Sequence, residues 1–198
     1  MPRPSNKDKF LAAGLSVMFR QGYSGASVRD VVAEAGAPHG SFTNHFRSKE
    51  VFAGEVLDLY FERTRAVVEE ALGDAGAPPR ERLRRYLDLI TDRLAADGFK
   101  RGCLIGDFSL ETVQISDALR ERLVAIYRDW LAPFAACIAE GQADGSIAAS
   151  FPPDELAEFL IASWEGAILR MKVERDPAAL ERFKRIAFAT VFTSGEVP

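Results

Sequence analysis

Apolar residues recur three and four positions apart along almost the whole chain, and no stretch alternates apolar and polar residues between hairpin turns. That spacing is the helical one, so the pattern predicts an all-α protein. A first helix is expected to open at Ser5, with Asp8 as capping partner, and to carry Phe10, Leu11, Gly14, Leu15, Met18 and Phe19 on one side. Gly22 and Gly25 stop it. A second helix should begin at Ser27, with Asp30 closing "SVRD", and end at Gly36. Pro38 suits the first turn of a third, short helix with Phe42 and Phe46 four apart, and Ser48 caps a fourth that reaches about Leu72.

"GDAGAPP", residues 73–79, is the clearest break in the chain and reads as a loop between helices. Beyond it the pattern places helices at about 80–96, 103–113, 117–142, 154–174 and 177–193. Asp154 and Glu155 after "FPP", and Asp176 before Pro177, are start signals, because a capping oxygen and a first-turn proline both answer the unpaired amides there. Pro133 is expected to kink or divide the 117–142 helix.

At 198 residues the chain can bury a core without disulfides. No apolar run approaches the ~20 residues that span a bilayer, and "MPRPSNKDKF" lacks the apolar centre of a secretory signal, so a cytoplasmic protein with no membrane partner is expected. Cys103 and Cys137 show no ligand spacing and are expected to be free thiols, with no metal and no cofactor. The net charge of −4 conceals an asymmetry: residues 1–50 carry seven Lys/Arg against four Asp/Glu, and the remainder 18 against 25. A basic end on an acidic body turns that end toward phosphate.

Both histidines fall in "GAPHGSFTNHFRSKE", residues 36–50. Two short helices joined at "EAGAP" by a turn of about three residues have the form of a helix-turn-helix, although the same geometry also occurs as plain core architecture. Phe42 and Phe46 would dock the second helix. His39, Gly40, Ser41, Thr43, Asn44 and His45 would present small polar groups to bases and phosphates. His39 and His45, six apart, lie on different faces of a helix and do not make a metal site.

"FLAAGLSVMFRQGYSGASVRDVVAEAGAPHGSFTNHFRSKE" resembles the amino-terminal DNA-binding domain of the TetR family of bacterial transcriptional regulators over roughly residues 8–57. The resemblance implies a helix-turn-helix domain at 1–50 and a helical ligand-binding and dimerisation domain at 51–198. It also implies a double-stranded DNA operator, a small-molecule effector and a homodimer formed by the last two helices. DNA contacts are expected from Ser27, Arg29, Pro38, His39, Gly40, Ser41, Thr43, Asn44, His45, Arg47 and Lys49, with help from Arg3, Lys7 and Lys9. Many members carry Tyr where this chain has Thr43 and Lys where it has His39, which shifts the backbone grip toward the arginines and lysines.

The last helix is apolar over a wide arc (Leu180, Phe183, Ile186, Ala187, Thr190 and Val191, with Phe188 and Phe192 adjacent), and residues 154–174 carry a similar load, which suits a subunit interface. "RGCLIGDFSLE" places Asp107 and Glu111 four apart, a pair that without a nucleophile reads as surface or ion-pairing carboxylates. Together with "WEGAILRMK", that "GCL" segment is similar to the TetR branch that includes sensors of electrophiles and unsaturated acids. That likeness implies an effector site at Cys103, with Lys172 near it. Cys103 as a reactive thiol and Cys103 as a packed apolar residue both fit. Phe108, Tyr127, Trp130, Trp164 and Ile168 are candidate chamber walls. No constellation of nucleophile, base and orienting group suggests an enzyme, and a helical partner-binding module is the other alternative.

Overall fold

The computed structural model describes residues 5–194, apart from the side chain of His39. Among the described residues every regular element is a helix: α1 (Asn6–Gly25), α2 (Val28–Ala35), α3 (His39–His45), α4 (Lys49–Leu72), α5 (Pro79–Ala95), α6 (Leu104–Glu111), α7 (Asp117–Ala143), α8 (Pro153–Glu174) and α9 (Ala178–Thr190). The chain forms two compact units, one from the amino terminus to Arg63 plus Leu104–Ala125, the other from Thr64–Cys103 plus Ile126 onward.

In the first unit the local signals act as their chemistry requires. Ser5 and Ser27 each accept the backbone N–H three residues on, while Asp8 and Asp30 reach back to the cap backbone, so two reciprocal capping boxes start α1 and α2. Hydrogen bonds from Ser27 hold the Asp30 carboxyl below the usual carboxylate range. Gly36, at φ 59°, ends α2 in the left-handed region. Gly36, Ala37 and Pro38 are all that separate α2 from α3, and Ser48 accepts the Val51 N–H at 3.1 Å to open α4.

The core of this unit is aromatic. Phe10, Phe42, Phe46 and Phe52 are each at most 2% exposed. The Phe42 ring lies 5.5 Å from Phe10 and 5.1 Å from Phe52, and Phe46 lies 4.8 Å from Phe52. Each such ring contributes about 2–3 kcal/mol on burial. A clamp of Arg20 and Ser16 on Glu34 ties α1 to α2 at 2.9 and 3.1 Å.

The second unit packs Leu83, Tyr86 and Leu87 of α5, Phe134 and Ile138 of α7, Leu160, Trp164 and Met171 of α8, and Leu180 and Phe188 of α9 in its interior. Arg80 donates to the Phe188 and Phe192 carbonyl oxygens, both at 2.7 Å, and so satisfies the end of α9. Buried Arg82 reaches the Leu72 carbonyl oxygen and pairs with Glu140. Of the two outcomes expected at Pro133, a kink or a division, division does not occur: Pro133 lies inside an undivided α7. It sits on the exposed side, as does Asp129 four residues earlier, so water can take the carbonyl that the proline leaves unpaired.

Two glycines predict opposite stability effects. A Cβ on Gly14 would lie 2.3 Å from the buried Phe52 ring and 2.9 Å from Val56, whereas Gly40 has open space. Gly14→Ala should therefore destabilise by about 1–3 kcal/mol through overpacking, and Gly40→Ala should stabilise by about 0.5–1 kcal/mol through helix propensity. Denaturant unfolding of the two variants checks the opposite signs.

Candidate nucleic-acid interface and effector site

The second helix of the helix-turn-helix turns its two phenylalanines inward and its polar positions outward. Gly40, Thr43, Asn44 and His45 are exposed, and Pro38, Arg29, Arg47 and Ser27 surround them at the surface. Arg3 and the His39 side chain lie outside the described residues. Arg29 and Arg47 make no ion pair among the described residues, so both guanidinia face water with their donors available to phosphate.

Other expected contacts are partly committed within the protein. The Thr43 hydroxyl donates to the Gly40 carbonyl oxygen at 3.0 Å, which leaves it only lone pairs to offer, and a phosphate oxygen is an acceptor too. Ser27 spends its hydroxyl on Asp30. Ser41 accepts from the Asn6 amide at 3.2 Å. Lys7 pairs with Glu55 at 2.7 Å, and Lys49 lays its ammonium over the Tyr23 ring, 4.5 Å from the centroid. Arg29 and Arg47, both exposed, carry no such commitment among the described residues.

Within the second unit, Cys103 is 8% exposed, and the Lys172 side chain passes close to its neighbour Gly102, where a Cβ would lie 3.2 Å from Lys172 Cδ. Ile168 lies against the same glycine. The sequence reading missed Tyr86, whose position in the apolar stripe of α5 is that of a core residue. Burial pushes the Tyr86 phenol well above its usual range, and Cys103 and Glu165 are near enough for their charges to oppose its ionisation as well. The Trp130 indole N–H approaches the Tyr86 oxygen but falls short of hydrogen-bond geometry, so both polar atoms are buried and unsatisfied. Trp164 Nε1 is likewise buried without a partner. Such atoms cost about 1–3 kcal/mol each.

Of the remaining candidates, Tyr127 stacks on Trp130 with centroids 6.0 Å apart, and Trp164 meets Phe183 at 5.5 Å. Phe108 packs in the first unit, edge-on to Tyr23 at 5.7 Å. Asp107 and Glu111 do not act as a pair: Glu111 accepts the Ser24 backbone N–H at 2.9 Å. The described residues contain no cluster of potential metal ligands and no helix long and apolar enough to cross a membrane.

A short helix seated by its apolar side, with a polar and basic outer face, on a chain that also carries a helical body with buried, unsatisfied polar groups, defines a helix-turn-helix regulator. Residues 10–56 match the family described as "Bacterial regulatory proteins, tetR family", and residues 79–187 match "Tetracyclin repressor-like, C-terminal domain". The chain belongs to the TetR family of DNA-binding transcriptional regulators. It is 44% identical to the HTH-type transcriptional repressor DhaR of Mycobacterium sp. strain GP1, over 99% of this chain and 97% of that protein. It is 34% identical to the transcriptional regulator AcuR of Cereibacter sphaeroides, over 88% and 80% respectively. The structure of the reduced form of Escherichia coli NemR superposes with a TM-score of 0.82 at 26% identity, covering 96% of this chain and 99% of that one.

The two cysteines should differ in reactivity. Burial raises the Cys137 thiol to about 11, and Cys137 Sγ lies 3.4 Å from the Pro79 carbonyl oxygen. A raised thiol pKa means that the reactive thiolate is scarce below it, about one part in a thousand at pH 8. Iodoacetamide at pH 8 should leave Cys137 unmodified until the protein unfolds, and peptide mass spectrometry of folded and urea-treated samples checks this.

Proposed function

We propose that this regulator is a homodimeric repressor, with residues 1–50 reading an operator and residues 51–198 holding the effector and the dimer face. The effector releases it by occupying, or covalently modifying, the cluster around Cys103. The observation that carries the effector assignment is the pair of buried, unsatisfied donors on Tyr86 and Trp130 beside a thiol. A small molecule with a carbonyl or carboxylate acceptor would satisfy both donors, and its preference for the non-binding arrangement is what would weaken DNA affinity. The related repressor NemR has a structure described as its reduced form, which is compatible with covalent release through Cys103. The repressor sign rests on DhaR and NemR, both repressors.

The dimer assignment rests on the surface of α8 and α9. Phe159 and Ile186 are 47% and 49% exposed, and they border a groove of about 410 Å³ lined also by Phe183 and Val191. Gly166 and Ala167 on the same face let a second backbone approach closely.

Operator titrations against salt test this reading. A dimer that loses one phosphate contact per head in Arg47→Ala should bind more weakly, and the slope of log affinity against log salt should fall by about 2. An unchanged slope would remove Arg47 from the interface. Tyr86→Phe should retain operator binding and lose response to the effector; a full response in that variant would move the effector site elsewhere.

A further inference from the structure

Glu111, the last residue of α6, is partly buried and directs its carboxylate at the junction between α1 and α2. Oε2 accepts the Ser24 N–H at 2.9 Å across 87 positions of sequence. The same carboxylate fills the space beside Gly22, where a Cβ would lie 2.3 Å from Oε1 and 2.8 Å from Oε2. Gly22 has φ 70° and ψ 177°, a conformation essentially reserved for glycine. Backbone turn and close carboxylate thus both exclude a side chain there.

Lys49, the first residue of α4, closes the arrangement from the other side. Its Nζ lies 3.5 Å from the Ser24 carbonyl oxygen and over the Tyr23 ring. Burial lowers the Lys49 pKa, and the Glu111 charge counteracts that shift. Tyr23 also receives the edge of Phe108, which lies one turn earlier on the same α6. One short helix therefore grips the α1–α2 junction at two points, an aromatic ring and a carboxylate.

The Ser24–Glu111 bond is exposed, so water would replace it at little cost to stability. Its consequence is positional. α2 begins at Val28, just past Ser24, and α6 begins at Leu104, directly after Cys103 in the chain. An eight-residue helix is a rigid rod about 12 Å long. We propose that Glu111 is the positioning residue through which α6 sets the DNA-reading helices, its carboxylate fixing the α1–α2 junction and Lys49 in the arrangement that binds DNA. The inference rests on the effector-responsive reading above for what moves α6, but not for its own readout. Linkage requires the converse effect: DNA held by the reading helices must alter α6.

Hydrogen exchange of the full-length protein, free and with a saturating duplex selected from random DNA by the wild type, tests this for wild type, Glu111→Ala and Glu111→Gln. Wild type should show exchange over 104–111 slowed about tenfold by the duplex. Glu111→Ala should show no such slowing although 39–45 remain protected, and Glu111→Gln, which keeps an acceptor for Ser24 but loses the charge facing Lys49, should be intermediate. Both variants should melt within about 4 °C of wild type, which separates positioning from general destabilisation. Equal slowing in wild type and Glu111→Ala, or none in wild type, overturns the proposal. A second arm treats wild type and Glu111→Ala with iodoacetamide: affinity should fall in wild type and stay within about twofold in the variant, because the link is already cut. An alkylated wild type with unchanged affinity refutes the thiol reading, while the exchange data still decide the role of Glu111.

Discussion

Everything this protein does with DNA depends on the seating of a seven-residue helix. An isolated helix of that length is unstable in water, because nucleation fixes several residues for very few hydrogen bonds. The aromatic packing of Phe42 and Phe46 on Phe10 and Phe52 supplies what α3 lacks, and it also fixes which face is left outside. The alternation of small polar residues and phenylalanine in "HGSFTNHF" follows from that constraint: Phe42 and Phe46 anchor the helix, and Gly40, Thr43, Asn44 and His45 are left exposed. Thr43, Ser27 and Ser41 already use hydrogen-bonding capacity within the protein, whereas Arg29 and Arg47 are exposed beside them.

The helical body has a different economy. Its interior is apolar at most positions, yet it buries a phenol and two indole N–H groups without partners. Buried polar atoms of this kind are rare in native structures, and they cluster where a ligand provides what the fold does not. Buried Lys184, by contrast, places its ammonium on the Asp88 and Glu181 carboxylates. Tyr86 and Trp130 lie together near Cys103, while the Cys137 thiol is simply buried and held in its protonated form.

The elements set by neighbours in sequence were legible in the sequence. Both capping boxes, the Gly36 stop, the proline starts and the inward phenylalanines follow from interactions spanning four residues or fewer, and the recognised family pattern added the DNA-reading role. What depends on distant neighbours was not legible. Glu111 read as half of a carboxylate pair with Asp107, because nothing in a linear pattern points to Ser24 eighty-seven positions away. Tyr86 carried no signal beyond an apolar stripe, since its importance lies in a hydroxyl that finds no partner once buried. Nor does the linear pattern around Lys49 show that its ammonium lies over the Tyr23 ring. That Pro133 would leave α7 undivided was not legible either, because the sequence does not say that its side of the helix faces water.

The most direct test of the central claim, that aromatic packing rather than intrinsic helicity presents the reading face, is the operator affinity of Phe42→Ala measured beside its thermal unfolding. Truncating a buried phenylalanine costs about 3–5 kcal/mol locally, so the account predicts at least about a hundredfold loss of affinity while most of the helical circular dichroism persists. Affinity within a few fold of wild type would contradict it, because α3 would then hold its shape and its place without the ring that seats it.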